Sequence, residues 1–338
     1  MCAAQLPVAG VWGGKKVVRE VLPFTPPSIR KMLDSLPDSI WERAEEIRIR
    51  QGKPLLLSLD SGDIFVTPSG GCTSEASAAY TVTPSDMERL LQLITGSSLY
   101  AVEEELKSGF ITLPGGHRVG LAGRAVVEDG RVKTLKQISF CNIRICREVR
   151  GAAAKVLPQI IDRKNGTIYH TMLVSPPRGG KTTLLRDLVR MISNGFPELG
   201  LPGQTVGLVD ERSEIAGCYR GVPQLDVGVR TDVLDACPKA QGMMMLLRSM
   251  GPKVIAADEI GKAEEVEVLE EVLCAGVKVL ITAHGSSLAE ISQRPALGRL
   301  VRQGAIERYV ILGRRCGAGT VEGVFDGRNF ASAGVKVC

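Results

Sequence analysis

The chain has 338 residues, of which 44% are hydrophobic, 23% charged and 4% aromatic, with a formal net charge of +5. That length and composition exclude a disordered chain and a single small domain, and leave room for two globular cores. Basic residues are interspersed with acidic ones and aromatics are few, which argues against a dedicated nucleic-acid binder with a basic stripe and stacking platforms.

Residues 1–20 carry neither helical nor strand period and read as a flexible tail; their positive charge follows the apolar stretch, the reverse of a secretory leader. SLPDSIWERAEEI predicts a short helix, and EIRIR (Glu46 to Arg50) then alternates as a half-buried strand before the turn Gln51-Gly52-Lys53 leads into PLLLSL. The Gly-, Ser- and Thr-rich stretch 62–79 reads as a hairpin or loop. Thr83-Pro84 opens the helix MERLLQLIT, and SSLYAVEEELKSG predicts a second helix stopped by Gly109. GFITL, HRVGLAGRAVV and VKTLKQISFCNIRI follow as strands joined by the turns PGG and EDG. We therefore expect a smaller α+β N-terminal domain over 21–150.

From Gly151 the texture changes. TMLV, TVGLVD, KVIAAD, VKVLITA and RYVIL are apolar on both faces and alternate with amphipathic helices, the pattern of a mostly parallel sheet covered on both sides. This predicts an α/β domain over 151–330 and a C-terminal tail over 331–338. The nine cysteines show no C-x-x-C pair, which disfavours zinc and suits a reducing compartment. No apolar run of about 18 residues occurs, so a soluble, cytoplasmic chain is expected.

The chemistry begins at SPPRGGKTTLLRD. Gly180, Lys181 and Thr182 complete the second half of a G-x-x-x-x-G-K-[ST] loop, with Ser175 in place of the first glycine. The stretch follows a buried-type strand and opens a helix, the setting in which backbone N–H groups cradle phosphate. Ser175, Pro176, Pro177, Arg178, Gly179, Gly180, Lys181, Thr182 and Thr183 are the expected nucleotide-binding residues. Lys181 is expected on the terminal phosphates and Thr182 on Mg2+, with Thr183 near the α-phosphate. The strand KVIAADEI delivers Asp258 as a Mg2+ carboxylate and Glu259 to orient or deprotonate the attacking water. VDERSEIAG ends a second strand in Asp210, Glu211 and Glu214, a second set of carboxylates expected to position water or metal, with Glu211 and Glu214 as further catalytic candidates and Glu214 as the alternative base. LITAHG places His284 at a strand's C-terminal end, where it is expected to sense the γ-phosphate. No N-K-x-D element is present, so ATP is expected rather than GTP.

Taken in order, SPPRGGKTTLLRD, VDERSEIAG, LLRSMGPKVIAADEIG and LITAHG, with EEIRIRQGKPLLL and GFITLPGGHRVGLAGRAVV upstream, resemble the stage III sporulation protein AA family. That family is similar to the ATPases of type II and type IV secretion and pilus systems. The resemblance implies a RecA-like P-loop core, and a homo-oligomer in which a hexamer is suspected. It further implies ATP hydrolysis that drives assembly of, or transport through, a sporulation channel with an integral membrane partner. The protein would then be held at the membrane by protein contacts. It also implies arginines that reach a nucleotide site, with Arg118, Arg124, Arg144 and Arg248 as the candidates by position. The rival readings are a nucleic-acid-binding NTPase and a nucleotide-regulated scaffold with little turnover. The first is disfavoured because no histidine stands four residues after an arginine.

Overall fold

The structure is a computed structural model and describes residues 10–11, 19–96, 102–315, 317 and 319–328. The chain divides into two compact units, residues 12–147 and residues 1–11 with 148–338. The tails expected at 1–20 and 331–338 fall almost wholly outside the described residues. Where 1–20 is described, the expectation of a structureless tail fails. Gly10–Val11 pairs antiparallel with Val149–Arg150, so backbone ladder bonds tie this short segment to the C-terminal unit.

The unit over 12–147 is built on strands β1 (Ala44–Arg50), β2 (Leu56–Leu59), β3 (Gly62–Val66), β4 (Cys72–Thr73), β5 (Phe110–Thr112), β6 (Arg118–Glu128) and β7 (Arg131–Arg144). They form one antiparallel sheet in the order β4-β3-β2-β1-β7-β6-β5. Period-2 alternation in β1 sends Ile47 and Ile49 inward, where they meet α1 (Pro27–Asp34) through Ile29 and Leu33. The predicted helix before β1 is shorter than its pattern: α2 covers only Asp38–Trp41, because the chain is already paired with β2 at Ala44. α3 (Pro84–Ile94) starts as expected, with Thr83 and Asp86 forming a reciprocal cap. The next predicted helix is described over Glu103–Ser108 (α4) and ends at Gly109 with φ +77°; its first part, 97–101, lies outside the described residues.

The second unit holds β8 (Thr171–Ser175), α5 (Lys181–Asn194), β9 (Val206–Asp210), β10 (Thr231–Asp235), α6 (Lys239–Ser249), β11 (Val254–Ala257), α7 (Ala263–Cys274) and β12 (Lys278–His284). It continues with α8 (Leu288–Gln293), α9 (Pro295–Arg302), β13 (Arg308–Gly313) and β14 (Thr320–Asp326). The sheet order is β10-β9-β11-β12-β8-β13-β14, parallel except for β14. Successive strand residues feed opposite cores: Leu173, Val254 and Ala256 pack with α5, whereas Met172, Val174, Ile255 and Ala257 pack with α6, α7 and α9. Burial on both faces is why these strands read as continuous apolar runs. The edge strands β10 and β14 do not stand out in the sequence, because they are largely half-buried and their polar residues break the apolar run. One consequence of the order matters for chemistry: β12 lies between β8, which leads into the lysine loop, and β11, which delivers Asp258.

Candidate functional site

The loop after β8 leaves the sheet at Ser175, the last residue of the strand and fully buried. Its hydroxyl donates to the carbonyl of Pro176 at 2.9 Å. This hydroxyl fills space beside the next glycine: a Cβ added at Gly179 would lie 2.1 Å from Ser175 Oγ and 2.9 Å from the Pro176 carbonyl. The missing first glycine is therefore compatible with the turn, and the close approach falls on Gly179. Arg178 adopts φ +57° and Gly180 φ +84°, a left-handed pair that turns the chain into α5. No side chain caps α5, so its first-turn N–H groups point at the mouth of the loop, an arrangement suited to anions. Gly319 donates its N–H to the Gly179 carbonyl at 2.9 Å, and Gly285 to that of Ser175 at 3.1 Å. Pro177 is exposed, and Thr183 is half-buried on the first turn of α5.

Across the C-terminal edge of the sheet the predicted residues converge. Lys181, only 7% exposed, hydrogen-bonds Glu259 Oε1 and lies 3.1 Å from His284 Nε2. His284 Nε2 stands 2.9 Å from the same Glu259 oxygen, while Arg212 reaches Oε2 at 3.5 Å. Burial alone would push the Glu259 carboxyl up. The Lys181 hydrogen bond and the charges of Lys181, His284 and Arg212 outweigh it and hold the group below the usual range. Glu259 is thus an ionised carboxylate at neutral pH. Thr182 Oγ1 donates to Asp258 Oδ2 at 2.9 Å, which sets two hard oxygen donors side by side, the kind of pair a divalent cation such as Mg2+ accepts.

The acids of VDERSEIAG take different roles. Asp210 is buried and accepts backbone N–H bonds from Glu214, Ile215 and Ala216 at 2.9, 3.0 and 2.8 Å. It shapes its own loop, with both carboxylate oxygens engaged by backbone N–H groups. Burial, opposed by those bonds, pushes its carboxyl up to about 6. Glu211 is paired with Lys239. Glu214 gives its carbonyl to Arg186 at 2.6 Å, and its side chain lines the same cleft as Asp258 and Glu259. Arg212, from the same segment, faces Glu259.

Of the four candidate arginines, only Arg248 belongs to the unit that holds this site. Arg118, Arg124 and Arg144 belong to the other unit, where Arg118 stacks on Phe110 at 3.4 Å and Arg144 lies 3.6 Å from Glu46. Arg248 is exposed in the last turn of α6. α6 runs against the strands, with Lys239 beside Glu211 and Leu246 near Gly207, the second residue of β9. Arg248 therefore sits roughly 14 Å along the helix from its start, at the end of the sheet away from Lys181.

Two residues at the site escape sequence reasoning. Arg186, 6% exposed in α5, ties down the Glu214–Ile215 carbonyls. Thr282 in β12 bonds both Asp258 and the N–H of Glu259. The available signal for Thr282 is its place two residues before His284, on the same face of the strand.

A mostly parallel sheet with a lysine–threonine loop opening a helix at its C-terminal edge, faced by paired carboxylates, is a mixed α/β fold resembling secretion ATPases. The X-ray structure of the Yersinia pseudotuberculosis ATPase DotB matches with TM-score 0.57 at 15% identity, covering 91% of this chain and 81% of that chain. The X-ray structure of the Legionella pneumophila ATPase DotB matches with TM-score 0.51 at 16% identity, covering 85% and 75%. At the level of sequence, the chain belongs to the family described as Sporulation stage III, protein AA, whose profile matches residues 15–331. It is 43% identical over 324 residues to Stage III sporulation protein AA of Bacillus subtilis (strain 168), across 95% of this chain and 100% of that protein.

Proposed function

We propose that this protein is an ATP-hydrolysing motor with a RecA-like core that energises assembly of, or transport through, a membrane channel during sporulation. It works as a homo-oligomer, a hexamer by likeness to the secretion ATPases, and grips an integral membrane partner. Among the described residues no helix is long and apolar enough to cross a membrane, and the reading places the protein at the membrane through that partner. The observation that carries it is the convergence of Lys181, Thr182, Asp258, Glu259 and His284 at one sheet edge. Sporulation enters through family membership.

The residues fit a triphosphate. Gly179 admits no Cβ, Gly180 is left-handed, α5 begins without a side-chain cap, and Lys181 supplies a buried ammonium. Thr182 and Asp258 would hold Mg2+, which supplies charge neutralisation at the phosphates. Glu259 is the proposed base: an ionised carboxylate beside Lys181 and His284 accepts the proton of an attacking water once the phosphates take its place on the ammonium. Glu214, in the same cleft, is the alternative acceptor. His284, 3.1 Å from the Lys181 ammonium, is the proposed sensor of the terminal phosphate. Arg118, Arg124, Arg144 and Arg248 are the candidates proposed to act on the nucleotide of a neighbouring copy.

The test is phosphate release from Mg-ATP by wild type, Lys181→Ala and Asp258→Asn. Release by wild type that both substitutions abolish supports the reading. Release that persists in both variants places hydrolysis elsewhere and refutes it.

A further inference from the structure

We propose that Thr282 is a positioning residue that fixes Asp258 and Glu259 for Mg2+-dependent nucleotide chemistry; the inference rests on the nucleotide reading above. Thr282 lies on β12 between the strands that lead to the lysine loop and to Asp258, and it is fully buried. Its single hydroxyl serves two consecutive residues. It donates to Asp258 Oδ1 and accepts the N–H of Glu259 at 2.8 Å. The other oxygen of Asp258 accepts from Thr182 at 2.9 Å. The carboxylate is therefore held between two hydroxyls, one from the lysine loop and one from β12, and its rotation is fixed.

The backbone of Glu259 needs the same support. It adopts φ +54°, a left-handed conformation that a non-glycine residue keeps only where its surroundings determine it. The N–H bond to Thr282 holds the backbone, and Lys181 and His284 hold the carboxylate end. The Thr282 carbonyl adds a third tie by accepting the Ile260 N–H at 2.8 Å. Strand packing asks only for a β-branched side chain, which valine supplies at the same size. The hydroxyl is used by these two bonds, both at the candidate Mg2+ and base residues.

Removing the hydroxyl leaves the Glu259 N–H unpaired and frees Asp258 to rotate, while the bonds within the phosphate loop do not involve it. The experiment measures binding of a fluorescent ADP analogue with Mg2+ and with EDTA, together with kcat and KM for ATP, in Thr282→Val, Thr282→Cys and Thr282→Ser. Without metal, every folded variant binds within about twofold of wild type, since the Thr282 hydroxyl bonds no residue of the phosphate loop. With Mg2+, Val and Cys lose about tenfold of the metal-dependent tightening, the scale for removing a ligand's supporting hydrogen bond. Their kcat falls at least tenfold while KM moves less, and Ser restores both readouts. Cys, which keeps the volume with only a weak donor, replaces Val if Val does not fold. A Val or Cys variant with wild-type Mg2+ enhancement and kcat overturns the proposal. So does a folded Ser variant as impaired as Val, because shape rather than the hydroxyl would then matter. A wild-type protein that binds no nucleotide under either condition overturns the nucleotide reading itself.

Discussion

Glu259→Gln is the substitution that separates binding from chemistry at this site. The carboxylate touches Lys181 and His284 through one oxygen and approaches Arg212 through the other. Glutamine keeps a carbonyl acceptor for the buried ammonium but removes the charge. The change from a charge-assisted to an ordinary hydrogen bond costs the nucleotide-free protein about 1 kcal/mol. In that state Glu259 and a phosphate compete for the same ammonium. Weakening the carboxylate's hold leaves ATP affinity unchanged or raises it by about fivefold, the equivalent of that 1 kcal/mol. Turnover goes the other way. Loss of the base costs at least ~100-fold, or about 3 kcal/mol of barrier. The assay pairs steady-state phosphate release with titration of a fluorescent ATP analogue. Unchanged turnover would refute the assignment and move the role to Glu214. Abolished binding would refute the competition argument, since it would make the carboxylate necessary for holding nucleotide.

Gly179→Ala should lose at least tenfold in nucleotide affinity, because its Cβ meets Ser175 Oγ and the Pro176 carbonyl and must deform the loop; equilibrium binding checks this, and wild-type affinity would show the loop to be slack. Asp210 gives a pH signature. Its folded carboxyl, pushed up to about 6, lies above the unfolded value of about 3.9. The folded chain thus holds the extra proton between those values, and this group's contribution to stability falls as pH rises toward 6, by at most about 1.4 kcal/mol per pH unit. In thermal melts from pH 4 to 7, wild type should lose stability relative to Asp210→Asn over this window; a constant difference would refute the assignment. Lys239→Met should leave Glu211 and Glu265 without their shared cation and lower the melting midpoint, corresponding to roughly 1–3 kcal/mol. An unchanged midpoint would show the pair to be energetically neutral.

Much of the site is legible in the sequence because it is local. Lys181 and Thr182 follow a strand and open a helix, and Asp258 and Glu259 end a strand. His284 ends another. In each case a short pattern fixes both the residue and its edge of the sheet. The elements that need strand order are not legible in that way. Thr282 matters because β12 separates β8 from β11, a fact of topology rather than of spacing. Asp210 looks like a second catalytic acid until its loop is seen folding back to give it three N–H bonds. Arg248 stands close to Asp258 in sequence, yet α6 carries it to the opposite end of the sheet. Among the strands, TDVLD and TVEGVFD fail to announce themselves because an edge strand has neither a continuous apolar run nor a covered second face.

The most direct test of the account is ATPase activity per subunit, measured against protein concentration for wild type and Lys181→Ala side by side. A motor whose site is completed by a neighbouring copy should show wild-type specific activity that rises with concentration and vanishes in the variant. Wild-type activity equal to that of Lys181→Ala at every concentration would contradict it.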